Sequence, residues 1–369
     1  MSLLSVIVPV YNGDRYIKET INYLQKSQHE NLEIIIVNDG STDNSEQIVK
    51  EIIKEDRRVV LYNRKNGGVV SARNYGCEMA TGEYICFADQ DDIIKPFMYK
   101  KLVERLEEDD SDMAMCSSGR SINGNESIFE CQKNGLYEGE EVKKNLLYPI
   151  LFNGYDVPYD MEKDNRYPHI WTCVFRKKFW DKCNLKFRAY INFEDDLLVK
   201  VEALSKASRV STIAEVGYLW RVNLQSESYA HHYIKNIGEK QEACYRDMEA
   251  GLLEAGVDGK VLDLFKQVTY CKQYVDAVHY LSSPEIKVNR KFLREYFRDN
   301  IYSRDFENAI KGRKYLKKGR IKPSILLPLL EKKKEVICYD TEILLDKILL
   351  LTLHSQTLTK LERKLKQNK

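Results

Sequence analysis

The chain has 369 residues, 43% of them hydrophobic and 31% charged, the composition of a folded globular protein with room for two domains or one domain and an appendage. No uninterrupted apolar stretch approaches the roughly 18 residues that a membrane-spanning helix requires, and no basic region followed by an apolar segment opens the chain. The net charge of +2 conceals an asymmetry: residues 311–369 carry 16 Lys/Arg against 6 Asp/Glu, leaving 42 basic and 50 acidic residues elsewhere. A basic tail on an acidic body points to an anionic partner surface, either membrane or nucleic acid. Nine scattered cysteines, none in a C-x-x-C pair, fit a reducing compartment, so the expected location is cytosolic.

Leu3 to Val10 is a near-continuous β-branched run, the pattern of a strand covered on both faces, and it ends in the turn Pro9-Val10-Tyr11-Asn12-Gly13. Arg15 to Lys26 carries Ile17, Ile21 and Leu24 at helical spacing. A second strand, Leu32 to Val37, runs into Asn38-Asp39-Gly40-Ser41. Asp43 and Glu46 then predict a capping box that opens a helix. Val59 to Tyr62 is a third strand, followed by the turn Asn66-Gly67-Gly68 and a helix from Ser71 to Met79. A fourth buried strand begins at Tyr84 and stops abruptly at Asp89-Gln90-Asp91-Asp92. Carboxylates crowded in this way repel one another. Either a divalent cation offsets that cost, or the acids cap a helix entered through Pro96.

Strands alternating with helices at this rhythm predict a doubly wound α/β fold with a parallel sheet, in which ligands bind beyond the carboxyl ends of the strands. Tyr11, Asp39, Asp89 and Asp91 all fall there. Neither G-x-G-x-x-G nor G-x-x-x-x-G-K-[ST] occurs, which disfavours dinucleotide and P-loop nucleotide binding. Further on, Asn192-Phe193-Glu194-Asp195-Asp196 precedes Leu197, Leu198, Val201 and Leu204 at helical spacing, and acids are favourable at a helix start whether or not they do chemistry. From Tyr233 onward the patterns are helical, with Tyr-rich faces that include Tyr270, Tyr274 and Tyr280. Leu358, Leu361 and Leu365 recur beside Lys360, Arg363, Lys364 and Lys366 as a basic amphipathic helix.

Five segments, in order, carry a family resemblance: Ser5 through Asn12, Val37 through Asp43, Asn66-Gly67-Gly68 through Ser71-Ala72-Arg73-Asn74, Asp89-Gln90-Asp91-Asp92 with Pro96, and Glu194-Asp195. Together they resemble the inverting nucleotide-sugar glycosyltransferases of glycosyltransferase family 2, which share the GT-A fold. The resemblance implies a GT-A catalytic domain over residues 1–225, with a nucleotide-sugar half over 1–116 and an acceptor half over 117–225. A mainly α-helical accessory region follows over residues 226–369.

The resemblance also implies roles for individual residues. Mn²⁺ or Mg²⁺ would sit between the Asp89/Asp91 pair and the donor diphosphate, with Asp91 the direct ligand and His231 a further candidate. Asp39 would accept a hydrogen bond from the base, although an Asp before Gly40 is also an ordinary turn residue. Pro9, Val10, Tyr11 and Asn12 would wall the base. Gly67 and Gly68 would admit the ligand close to the backbone, and Arg73 would pair with phosphate or else be a plain surface-helix arginine. Asn74, Gln90 and Arg221 complete the nucleotide-sugar set. Asp195 is implied as general base, with Glu194 orienting and Asp196 as the alternative in register. Trp171 either stacks on an acceptor sugar or belongs to the core.

The implied activity is metal-dependent, inverting transfer of a sugar from a UDP-sugar to a hydroxyl of a surface glycan or lipid-linked acceptor. The tail would then dock on the anionic inner face of the membrane or make a homo-oligomer contact, and no nucleic acid is implied. Two other classes compete. A nucleotidyltransferase that makes nucleotide-sugars would carry a Gly-rich basic loop where this chain has Tyr11-Asn12-Gly13-Asp14. A non-catalytic scaffold for glycan or membrane has no need of two carboxylate clusters.

Overall fold

A computed structural model describes residues 2–162, 166–191, 195–222, 233–281, 283, 285–302, 306–317, 321–335, 337–343 and 345. The chain forms two compact units. One comprises Met1–Asn153, Tyr159–Tyr229 and Asp247–Val257; the other comprises Gly154–Pro158, Ala230–Arg246 and Asp258–Lys369.

The first unit is built on a 10-stranded sheet. Its strands are β1 (Leu4–Val10), β2 (Leu32–Asn38), β3 (Val59–Asn63), β4 (Tyr84–Phe87), β5 (Ile93–Ile94), β6 (Met113–Ile122), β7 (Asn125–Glu130), β8 (Gly135–Glu138), β9 (Cys173–Arg176) and β10 (Arg209–Arg221). The strand order is β3-β2-β1-β4-β9-β6-β10-β5, with β7 on β6 and β8 on β10. Four helices connect the early strands: α1 (Ile17–Gln25), α2 (Ser45–Glu55), α3 (Val69–Met79) and α4 (Met98–Glu108). All seven residues of β1 are buried, because helices cover both faces of the parallel sheet. β1 pairs in parallel with β2 on one side and β4 on the other, so that Val10 lies opposite Asn38 and Ile7 opposite Phe87.

This order sets the position of the crevice. The chain winds outward from β1 to β2 and β3, then returns to place β4 on the other side of β1. Such a reversal parts the loops that follow β1 and β4, and it is where open α/β sheets bind ligands. α3 lies tight against this centre. A Cβ on Gly76 would overlap the Ile7 side chain, so glycine at that position lets the helix settle onto β1. Arg73, one turn earlier on α3, is thereby carried to the carboxyl ends of the strands.

The structure differs from the sequence expectation beyond Ser117. The sheet continues there through β6, β7 and β8, which all join it, before short helical turns over Glu140–Val142 and Tyr148–Leu151. β9 runs antiparallel between β4 and β6. Its first residue therefore stands at the carboxyl end of β4, and residues 167–172 reach the crevice. The expected capping box also fails to form. Asp43 accepts from Ser45 N (3.0 Å) and Asp14 N (2.9 Å), while Glu46 pairs with Lys50 at 2.6 Å. Asp43 thus ties the loop after β2 to the loop after β1.

The second unit is helical, with Gly259–Tyr280, Arg290–Phe297, Phe306–Arg313 and Ile321–Glu331 among its helices. Tyr270 and Tyr274 are buried in it, and the Tyr270 hydroxyl donates to Glu242 at 2.6 Å. Among the described residues no helix is long and apolar enough to cross a membrane.

Candidate active site

The loops at the ends of β1, β2 and β4 are laced together by side chains acting on backbone. The Gln90 amide accepts from Tyr11 N (3.0 Å) and donates to Tyr11 O (3.1 Å), completing a strand-like pair across the crevice. Asn12 adopts a left-handed conformation (φ 48°), its Oδ1 accepts from Thr42 N at 2.8 Å, and its own N–H donates to Ser41 Oγ at 3.0 Å. Pro9 and Val10 are buried inside β1, which leaves the Tyr11 ring, 46% exposed, as the open aromatic surface of this turn.

Asp39 is buried at the end of β2. Its carboxylate accepts from Gly67 N (3.1 Å) and Gly68 N (2.7 Å), with Arg64 Nε 3.3 Å away. Its first task is therefore to shape the Gly67-Gly68 turn. Gly68 has φ 84° with no neighbour near its missing side chain, so the turn demands backbone freedom there rather than space.

Arg73 is 5% exposed and sits between the two acidic clusters. Nη1 donates to Asp195 Oδ2 (2.5 Å) and Asp196 Oδ1 (2.8 Å), and Nη2 donates to Asp89 Oδ1 (2.8 Å). The guanidinium also lies 5.2 Å from the centre of the Phe187 ring. Burial alone would weaken its charge, but Asp196, Asp89 and Asp195 together hold it above the ordinary arginine value. Both of its Nη atoms thus serve carboxylates.

The adjacent Asn74 works on backbone. Its amide donates to Phe187 O and accepts from Phe187 N, both at 2.9 Å, which fixes the ring beneath Arg73. Asn74→Ala should cost about 1–3 kcal/mol, the penalty for leaving two half-buried peptide groups unpaired. The urea unfolding midpoint of that variant measures it.

Asp89 and Asp91 share the end of β4. Burial, reinforced by Asp89, pushes the Asp91 carboxyl up to about 6. Asp92 is buried and also raised, chiefly by burial and then by Asp89 and Asp91. It accepts from Arg221 N at 2.7 Å and is hydrogen-bonded by the Tyr218 hydroxyl, whose oxygen in turn accepts from Asp89 N at 3.0 Å. Arg221 is committed to the same loop through Nε to Asp91 O (2.7 Å), and it pairs with Glu19 at 3.0 Å. No group of three metal-ligating side chains comes together among the described residues. The Asp89/Asp91 pair still suits a hard cation. It offers oxygen ligands, and Asp91 carries a charge that its surroundings compensate poorly, while one or two carboxylates suffice where substrate phosphates fill the remaining positions.

Asp195 and Asp196 open the helix Asp195–Lys206, so the helix-start and site readings of that cluster coincide. Asp196 also accepts from Ile170 N at 3.2 Å. Burial, offset in part by Arg73 and reinforced by Asp195 and Asp89, pushes its carboxyl up to about 7. Lys200, a turn further along and buried, donates to the carbonyls of Tyr167 (3.1 Å) and His169 (3.0 Å), fastening residues 167–172 to this helix. Trp171 is buried, stacked between His169 (4.4 Å between ring centres) and Tyr218 (4.2 Å), so its ring belongs to the core. Glu194 and His231 lie outside the described residues.

Sequence reading missed Asp92, Tyr218 and Lys200. Asp92 stood in the motif, but nothing local marks the hydroxyl of Tyr218 or the amine of Lys200, whose partners are remote in the chain.

Comparisons with known proteins bear on the family and the fold. The profile of Glycosyl transferase family 2 matches residues 5–177. An uncharacterised glycosyltransferase of Haemophilus influenzae is 42% identical over 271 residues, covering 71% of this chain and 78% of that protein. The uncharacterised glycosyltransferase EpsJ of Bacillus subtilis is 30% identical over 232 residues, 61% of this chain and 62% of EpsJ, so the match spans less than two thirds of that relative. The crystal structure of S. aureus TarS 1–349 in complex with UDP-GlcNAc superposes with a TM-score of 0.63 at 20% identity, covering 93% of this chain and 90% of that one. The chain belongs to glycosyltransferase family 2, and its fold is GT-A.

Proposed function

We propose that this protein transfers a sugar from a UDP-sugar to a hydroxyl of a glycan or lipid-linked acceptor, with inversion at the anomeric carbon and with a divalent metal. The catalytic domain is assigned to residues 1–225 and a helical accessory region to 226–369. The observation that carries the reading is the meeting of two acidic clusters at the crevice, Asp89/Asp91 and Asp195/Asp196, bridged by the buried Arg73. The family membership and the likeness to a structure solved with UDP-GlcNAc support the donor class.

In this reading Tyr11 stacks on the base, which the Asp39-organised turn of Gly67 and Gly68 frames. Asp91 and Asp89 hold Mn²⁺ or Mg²⁺, and Asp91 is the direct ligand. When bound, the metal supplies Lewis-acid stabilisation of the charge on the departing diphosphate. Asp195 takes the proton from the acceptor hydroxyl as that oxygen attacks the anomeric carbon. One displacement assisted by one base inverts the centre. Arg73 keeps the base carboxylate aimed through its Nη1 hydrogen bond, and Arg221 holds the Asp91-Asp92 loop in place for the diphosphate.

Calorimetric titration of UDP with and without Mn²⁺, on wild type and Asp91→Ala, tests this directly. The expected result is metal-dependent binding in wild type that disappears in the variant, whose unfolding midpoint stays near wild type. Equal, metal-independent UDP binding by both proteins would remove the metal assignment. No binding by either would remove the UDP donor class.

A further inference from the structure

The helix Ile321–Glu331 departs from the pattern of a surface helix. It buries Leu326, Leu327 and Leu330, each 0% exposed, yet between Ile325 and Leu330 its opposite face is apolar too. Ile325 is 40% exposed, and Pro328 and Leu329, one turn on, are partly exposed. A helix that is apolar all round is ordinarily buried all round. This stripe leads to Lys332, Lys333 and Lys334, all exposed, where Lys333 turns left-handed (φ 50°) and ends the helix.

The segment that follows packs back on the helix, with Cys338 Sγ 3.9 Å from Leu326 O, and so brings Ile337, 52% exposed, to the same neighbourhood. Glu331 is engaged by Arg313 at 3.6 Å, and the Lys333 amine lies 5.6 Å over the Tyr302 ring. Among the described residues Lys332 and Lys334 form no ion pair. Beyond residue 345 the sequence continues in leucines and lysines, among them Leu358, Lys360, Leu361, Lys364 and Leu365.

We propose that this face of the second unit docks on an anionic phospholipid surface, with Ile325, Leu329 and Ile337 entering the headgroup boundary and Lys332–Lys334 meeting lipid phosphates. Apolar side chains rimmed by lysines fit a charged bilayer, where each contributes to attraction and neither suffices alone. A second copy fits less well, because a two-fold contact through this face would bring two sets of the same lysines together. The inference is independent of the transfer chemistry.

The test mixes the full chain with phosphatidylcholine vesicles, with and without phosphatidylglycerol, and reads the bound fraction by flotation. Binding is expected to anionic vesicles only and to weaken with added salt. The triple variant Lys332→Gln, Lys333→Gln, Lys334→Gln should bind about 100-fold more weakly, given the attraction carried by each juxtamembrane charge. Ile325→Ser with Ile337→Ser, both exposed positions, should also weaken binding while the unfolding midpoint holds. Equal binding to neutral vesicles, no binding to either kind, or unchanged binding by both variants would overturn the proposal. So would a dimer seen by light scattering without lipid and dissolved by the isoleucine variant, which would give the face to a second copy. A chain that floats with anionic vesicles but does not bind UDP overturns only the transferase reading.

Discussion

Replacing Asp195 by asparagine should lower sugar transfer by roughly 10²–10⁴-fold while leaving UDP binding near wild type, the loss typical of removing a general base. Asp195 is favoured over Asp196 because of what each oxygen already does. Asp196 is held at both ends, through Oδ1 by Arg73 and through Oδ2 by Ile170 N. Among the described residues Asp195 is held through Oδ2 alone, so Oδ1 remains for an acceptor hydroxyl. Asn at 195 keeps a hydrogen-bonding oxygen for Arg73 and cannot take the proton. Unchanged transfer in Asp195→Asn would move the role to Asp196.

The pH profile separates the two further. Asp196, pushed up to about 7 mainly by burial, gains a proton as the pH falls through that value. Its charge on Arg73 is then lost, and the anchor that aligns the base weakens. The kcat/KM of wild type should therefore decline below about pH 7, and Asp196→Asn should abolish that limb because the titrating group is gone. A limb that persists unchanged in Asp196→Asn would assign it to another group.

The sheet was legible because its strands are written in one alphabet. The run from Leu4 to Val10 and the run from Leu32 onward are dense in Val and Ile, as strands covered on both faces must be, and the turns after them hold Gly, Asn and Asp. β9 was not legible. Cys173–Arg176 is short, and its antiparallel place between β4 and β6 follows from pairing partners distant in the chain, which local periodicity does not encode.

The site shows the same division. Asp39, Asp89, Asp91 and Asp195 could be picked out because carboxylates at strand and helix ends stand out against an apolar background. The tasks of Arg73, Asn74 and Gln90 could not be read the same way. Each is implied as part of the nucleotide-sugar set, and each also bonds protein: Arg73 the carboxylates, Asn74 the backbone of Phe187, Gln90 the backbone of Tyr11. Residue type announces that a polar group will be used. Only the fold decides whether ligand or chain uses it.

Arg73→Met is expected to destabilise the fold by about 3–5 kcal/mol, the cost of removing one partner from a buried ionic cluster and leaving the other charges uncompensated. Three carboxylates converge on this guanidinium, so the variant must hold Asp89, Asp195 and Asp196 together without a cation. Methionine nearly matches the volume of the side chain and still packs on Phe187, which keeps the effect electrostatic. The sign of its pH dependence follows. Arg73 is the charge that offsets burial at Asp196, so without it the already raised folded-state pKa of that carboxyl rises further above its unfolded value, and a carboxyl with a raised folded pKa favours the fold in its protonated form. The deficit against wild type should be largest at neutral pH and should shrink as the pH falls through that raised value. Urea midpoints for both proteins at pH 7.5 and pH 5, chosen to straddle the roughly 7 of Asp196, measure it. A deficit that stayed constant with pH would mean that Arg73 contributes through packing alone, and Arg73→Lys, which restores charge without the planar fork, would then rescue nothing.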